Sequence, residues 1–381
     1  MIIGIDYRPA MLQFAGIARY GRMISRALAN EIGASDHLKL FGHSWATPQI
    51  PRELWDLKAP NVKLYRKRIP GRAILLGYKW FNRGADDWIG GCDLFHRTDF
   101  VYLPVRKAKT VATIFDASFA ADESFHGAEA SRNLMKVTKS LISEASVVLA
   151  PSEFAAAELI IRCGAPMDKV VVTPLGMDHF PHFPMTKESP YPLPYILTLG
   201  TVEPRKNHLR CLHVFEKLVS LGYPHHWVVS GRRGWMYGDF YRALDASPAR
   251  SKVILDEDVP DDKIANLVKH SSIVLYPSLY EGFGLPPLEA QALGVPTVTS
   301  AVSSMPEVCG DAAAYCDPED EGSILDAIRS VLDNATYRAE LVNGGLENAK
   351  RYTWSRAAKA TLAAYRRALS PPPPKPFTKH N

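Results

Sequence analysis

Cysteine is scarce in this chain. Its five residues, Cys92, Cys163, Cys211, Cys309 and Cys316, include no C-x-x-C pair. An odd number without paired spacing excludes a disulfide framework and supplies no zinc-ligand pattern; it suits buried free thiols in a reducing compartment. Long apolar runs are missing too: no stretch approaches the ~18 apolar residues of a membrane span. No secretory leader is expected, because Met1-Ile2-Ile3-Gly4-Ile5-Asp6 begins directly as a strand. Neither charge sign dominates, since 45 Lys and Arg stand against 40 Asp and Glu. The resulting +5 is too weak and dispersed to argue for nucleic acid, and leaves anionic substrates or an anionic membrane surface. The first strand is not followed by G-x-G-x-x-G, which counts against a nicotinamide-dependent oxidoreductase. The expected location is the cytoplasm, with a peripheral seat on the inner face of the plasma membrane left open.

What is present is a 381-residue chain, 46% hydrophobic and 22% charged, enough for two domains of ordinary size. Short apolar runs alternate with helical patterns. Strands are expected at 2–5, 38–41, 94–95, 110–114 and 147–150, with helices at 21–29, 128–144 and 153–163. A second series places strands at 195–199, 227–230, 253–255, 273–276, 297–299 and 313–315. Its helices fall at 209–221, 261–270, 288–293 and 321–334. Such alternation implies parallel sheets covered by helices on both faces. Two series imply two Rossmann-like domains, joined by a proline-rich stretch around 180–194 that makes a stiff connector. The expected division is 1–183 and 184–354, with a last helix at 355–369. Pro371-Pro372-Pro373-Pro374 ends regular structure, so 371–381 is expected to be disordered.

The most informative stretch is Tyr280-Glu281-Gly282-Phe283-Gly284-Leu285-Pro286-Pro287-Leu288-Glu289. It sets two carboxylates eight positions apart across a glycine-broken turn between a strand and a helix. That arrangement presents backbone N–H groups to a phosphorylated ligand. Glu281 is expected at the loop mouth and Glu289 in the first helical turn, both able to bond sugar hydroxyls. Further upstream, Gly200 allows a tight turn after a strand, and Arg205 and Lys206 precede a helix. Cations there oppose the helix dipole unless an anion joins them. A bound diphosphate and a solvated turn both remain open on these residues alone.

The run Glu281-Gly282-Phe283-Gly284-Leu285-Pro286-Pro287-Leu288-Glu289 resembles the E-x7-E signature of retaining glycosyltransferases of the GT4 family, which have the GT-B fold. The segment 199–207 is similar to the family's diphosphate site, and most like that of mannosyltransferases of bacterial surface-polysaccharide assembly. The resemblance implies an interdomain cleft, a nucleotide-sugar donor (GDP-mannose first, a UDP-sugar second) and a lipid-linked or growing polysaccharide acceptor. It also implies that the 355–369 helix packs back on the first domain. It implies roles as well. Lys206 and Arg205 would steady the leaving diphosphate, Glu281 the transferred sugar and Glu289 the ribose. The N–H groups of Phe283, Gly284 and Leu285 would line sugar and phosphate. Gly200, Thr201, Gly231, Arg232 and Val259 would complete the donor pocket, Thr201 standing where many relatives carry arginine. No metal is expected, and Asp256-Glu257-Asp258 is read as a solvated acidic turn.

On the acceptor side, Gly16 and Arg19 resemble the family's glycine loop, with Ala15 replacing one glycine; ordinary first-turn helix residues fit equally. His96 and Asp116 complete that side, although a lone histidine at a strand end is more often structural. Phe115 stands where many relatives have the histidine of a His-Asp pair. That departure motivates a second reading, a catalytically weak sugar-nucleotide-binding subunit. Finally, Lys63-Leu64-Tyr65-Arg66-Lys67-Arg68 and the aromatic stretch to Arg83 suit an anionic membrane contact over 63–83, or else a solvated turn followed by a core helix.

Overall fold

The computed structural model describes residues 1–12, 16–45, 52–257 and 259–370. The proline-rich tail, Phe14, Ala15 and Asp258 lie outside the described residues. Two parallel sheets organise the chain. The first holds β1 (Ile2–Asp6), β2 (His37–His43), β3 (Val62–Lys67), β4 (Leu94–Arg97), β5 (Lys109–Thr113), β6 (Val147–Ala150) and β7 (Val170–Val172). Their order is β3-β2-β1-β4-β5-β6-β7. The second holds β8 (Tyr195–Leu199), β9 (His226–Ser230), β10 (Val253–Asp256), β11 (Ile273–Tyr276), β12 (Thr297–Ser300) and β13 (Ala314–Cys316), in the order β10-β9-β8-β11-β12-β13. The two-domain α/β architecture expected from the alternating pattern is therefore present.

Burial explains why these segments are strands. Every residue of β6, β8 and β11 is buried, the continuous apolar signature of a parallel sheet covered on both faces. β3 is different. It is an edge strand whose side chains are exposed or half-buried, and its lysines and arginines blunt a free edge. The sequence suggests a membrane contact or a solvated turn for this segment rather than a strand, and it gives no sign of the three-residue edge strand β7. The helix Gly71–Phe81 that follows β3 is not a core helix either: Ile74 is its one buried residue.

In each sheet the strand order reverses at one point, between β1 and β4 and between β8 and β11. Crevices outside the carboxyl ends of such neighbours are where open α/β sheets bind ligands. Gly200 follows β8 and the Glu281 loop follows β11, so the topology alone brings those two segments together. The C-terminal helix Trp354–Leu369 returns to the first sheet. Its buried Ala357, Ala358 and Tyr365 pack against helix Gly16–Glu31 and strands β4 to β6. Its hinge is pinned by Trp354 N–H donating to Asp178 Oδ1 at 2.8 Å. One apolar cluster joins both halves through Phe180, Phe283, Tyr352 and Trp354.

Candidate active site

The donor-side loop is shaped by close backbone contacts. A Cβ on Gly231 would lie 1.9 Å from the Gly200 carbonyl oxygen, so the loops after β8 and β9 touch only because position 231 has no side chain. A Cβ on Gly282 would likewise lie 1.9 Å from the Phe115 carbonyl oxygen, which seats the Glu281 loop directly on the first domain. Ser152 Oγ donates to the Gly282 carbonyl at 2.6 Å and accepts from Ala155 N–H at 3.0 Å, so one hydroxyl caps a first-domain helix and anchors a second-domain loop. Glu307, from the second domain, accepts from the N–H groups of Glu153 and Phe154 at that same helix end, at 2.8 and 3.1 Å.

Between these loops lies a buried charge cluster. Pro204–Lys206 forms one 3-10 turn, which throws Arg205 and Lys206 towards the Glu281 carboxylate. Lys206 Nζ donates to Glu281 Oε1 at 2.5 Å, and Arg205 Nη1 to Oε2 at 3.0 Å. Arg205 also pairs with Glu203 at 2.7 Å and stands 3.9 Å from Asp116. Lys206 further contacts the Tyr276 hydroxyl. Burial acts to raise the Glu281 pKa, but Arg205 and Lys206 together outweigh it and hold the carboxylate at about 2. Burial depresses Lys206, with Glu281 opposing, and Glu203 is raised by burial against the pull of Arg205 and Lys206. Sequence reading missed Glu203 and Tyr276. Glu203 was visible only as the residue before Pro204, and nothing local marked Tyr276 as other than a core residue.

Glu289 pairs with Arg19 across the domain boundary, and both are buried. Two expectations change here. The helix begins at Leu285, three residues earlier than its apolar pattern suggested, so Glu289 lies in the second turn rather than the first. Arg19, expected on the acceptor side, faces Glu289. Its guanidinium also lies 5.7 Å from the Phe180 ring centroid. Gly16 is exposed at the head of its helix, opposite Leu285.

His96 is a clear correction. It has no solvent exposure, and its Nδ1 and Nε2 bond the Tyr365 and Thr113 hydroxyls at 2.7 Å each. Burial pushes its pKa down to about 3. It is a core histidine that ties the C-terminal helix to the first sheet. Asp116 does reach the cleft: its Oδ1 accepts from Ser118 N and Oγ, and its other oxygen faces Arg205. Phe115 turns inward, edge-on to Tyr20 at 5.0 Å. Of the remaining donor-side positions, Thr201 and Val259 are half-buried, Arg232 is exposed and Phe283 is buried against Tyr352. Among the described residues, no group of three or more His, Cys, Asp or Glu side chains is placed to hold a metal ion.

Two facing parallel sheets with this cleft define the two-domain glycosyltransferase architecture. Sucrose-phosphate synthase from Thermosynechococcus elongatus superposes with a TM-score of 0.76 over 96% of this chain and 98% of its own, at 18% identity. Anabaena HepE in complex with UDP and glucose gives 0.70 over 96% and 99%, at 14% identity. In sequence, the description "Glycosyl transferases group 1" matches residues 186–348. The Escherichia coli O-antigen chain mannosyltransferase B is 31% identical over 94% of this chain and 97% of that protein. The chain belongs to the group 1 glycosyl transferases and is a glycosyltransferase, an enzyme class that uses nucleotide-sugar substrates.

Proposed function

We propose that the chain is a retaining α-mannosyltransferase that moves mannose from GDP-mannose to a lipid-linked or growing polysaccharide acceptor at the cytoplasmic face of the membrane. The similarity to an O-antigen chain mannosyltransferase over nearly the full length supports the sugar and the process. The observation that carries the site is the Arg205–Lys206–Glu281 cluster at the β8/β11 switch point. Cleavage of the donor's anomeric C–O bond leaves negative charge growing on the diphosphate. Arg205 and Lys206 stabilise that charge, while Glu281 keeps both cations in place and then faces the sugar. Glu289, presented by Arg19, takes the ribose hydroxyls. Gly200, Thr201, Gly231, Arg232, Val259, Phe283, Gly284 and Leu285 form the remaining donor wall. Gly16 and Asp116 face the acceptor. Residues 1–183 serve as the acceptor domain and 184–354 as the donor domain, with 355–369 returning to the first.

A peripheral seat on an anionic membrane belongs to this reading. From Lys58 to Arg83 there are eight cations and no Asp or Glu, so the rest of the chain carries a net −3. The test begins with melting temperatures in GDP, UDP and ADP and their sugars, since a ligand of the native state raises the melting point. GDP and GDP-mannose should give the largest shift. Lys206→Ala and Glu281→Ala should each cut turnover by roughly 10²–10³-fold. Near wild-type rates in both variants would remove the site assignment.

A further inference from the structure

Beside the charge cluster runs a chain of contacts that the roles above leave unused. The segment after β5 brings Asp116, Ser118, Phe125 and His126 to the rim of the cleft. The Ser118 hydroxyl donates to Asp116 Oδ1 at 2.8 Å, and His126 Nε2 lies 2.9 Å from the same hydroxyl oxygen. A hydroxyl has one proton, so His126 is the donor in the second bond. The neutral ring therefore carries its hydrogen on Nε2. The imidazole stacks on Trp235 of the second domain, with centroids 5.1 Å apart and planes 23° apart. Trp235 Nε1 donates to the Phe125 carbonyl at 2.5 Å, which fixes the indole over the ring. At the far end, Asp116 stands 3.9 Å from Arg205. The path leaves the second domain at Trp235, crosses His126, Ser118 and Asp116, and re-enters the second domain at the cation that grips Glu281.

We infer that His126 is a positioning residue, one that fixes Asp116 against Arg205 when Trp235 closes over the cleft and so couples domain closure to the placement of the donor-side cations. Its kinetic part rests on the glycosyltransferase reading; the stack itself does not. The charged groups acting on the imidazole are Asp116 and Arg205. Burial comes first in lowering its pKa, Arg205 adds to that and Asp116 opposes it. A protonated ring keeps its bond to Ser118 but sets a second cation beside Arg205, and that repulsion weakens the coupling in acid.

Three variants separate the contributions. His126→Phe keeps an aromatic face for Trp235 and removes the hydrogen bond. His126→Gln keeps a donor for Ser118 and cannot titrate. His126→Ala loses both. The substrate-free measurement is the pH dependence of tryptophan fluorescence, because a histidinium quenches an indole stacked on it. The wild type should show an acid component that Trp235→Phe and His126→Phe both abolish. Its absence from the wild type overturns the inference while leaving the family assignment intact. With the sugar nucleotide that raises the melting temperature most, His126→Phe should lower kcat roughly tenfold with donor KM within about twofold, the pattern of lost transition-state placement. His126→Gln should recover most of that kcat at pH 7 and lack the wild-type acid limb. Unchanged kcat in His126→Phe, or an acid limb that persists in His126→Gln, overturns the inference.

Discussion

At the scale of the residue, buried charge separates the site from the scaffold. Glu281 is a carboxylate whose burial is over-compensated by two cations, so it stays ionised. Asp6, at the carboxyl end of β1, is the opposite case. It is buried and accepts from Arg8 N–H at 3.1 Å. Burial raises its pKa to about 7, Arg8 opposes and Asp99 adds to the rise. A folded pKa above the unfolded 3.8 means that its contribution is fully present below that value and is lost as pH climbs through about 7. At one pKa unit per 1.36 kcal/mol, ionised Asp6 costs the fold about 4 kcal/mol at pH 8. Asp6→Asn removes that charge and retains an acceptor for Arg8. Its melting temperature should exceed the wild type's at pH 8 by several degrees, and the gap should close towards pH 4. A gap that is constant with pH would show that Asp6 is not the protonated carboxyl described here.

At the scale of the element, helix Gly71–Phe81 sets large apolar side chains in solvent. Leu75, Leu76, Trp80 and Phe81 are exposed, Trp80 at 73% and Phe81 at 75%. Arg72, Lys79 and Arg83 lie among them. An interfacial helix places apolar side chains at the acyl boundary while nearby cations gain about 1 kcal/mol each from an anionic surface. The protein should sediment with anionic vesicles at low salt and be released as salt shortens the Debye length. Trp80→Ala with Phe81→Ala should weaken binding and leave the melting temperature unchanged. Failure to bind anionic vesicles at low salt would end the membrane reading. The same helix shows where sequence legibility stops. β6, β8 and β11 fall at their expected bounds, because burial on both faces writes a nearly continuous apolar run, broken only by Thr198 in β8. β3 hid because an edge strand carries cations where a central strand carries valine. The helix after it was legible as apolar, yet composition cannot say whether apolar side chains face a core or a bilayer. In the site, Glu281 and Lys206 were legible because each lies in a loop that resembles a family motif. The Arg19–Glu289 pair and the His126–Trp235 stack were not, because tertiary folding alone joins such distant positions.

At the scale of the molecule, the two domains are held by polar as well as apolar contacts, and the polar ones bring a pH dependence. No helix among the described residues is long and apolar enough to cross a membrane. Three histidines are buried neutral: His96 and His208 are driven to about 3 by burial, and His43 to about 4. Both ring nitrogens of His208 lack a hydrogen-bond partner among the described residues, so nothing there stabilises an imidazolium. A folded pKa below the ordinary 6.5 means that the unfolded chain binds protons first, and stability falls as pH drops below 6.5. Asp6 acts in reverse over the same range, because below about 7 the folded state holds a proton that the unfolded chain takes up only near 3.8. The balance near pH 5.5 is about two protons, or roughly 2–3 kcal/mol lost per pH unit. Lowered values at His126 and His225 steepen it, and the raised Glu203 opposes. Glu281 adds its own loss only lower down, between its unfolded 4.5 and its folded value of about 2. Denaturant unfolding at several pH values measures this slope directly. The wild type should lose stability steadily from pH 6.5 to 5. His208→Leu should flatten the decline by about one proton's worth, because an apolar side chain there has nothing to titrate. A stability that holds level or rises across that interval would mean that these imidazoles are protonated in the fold, against the burial that the packing gives them.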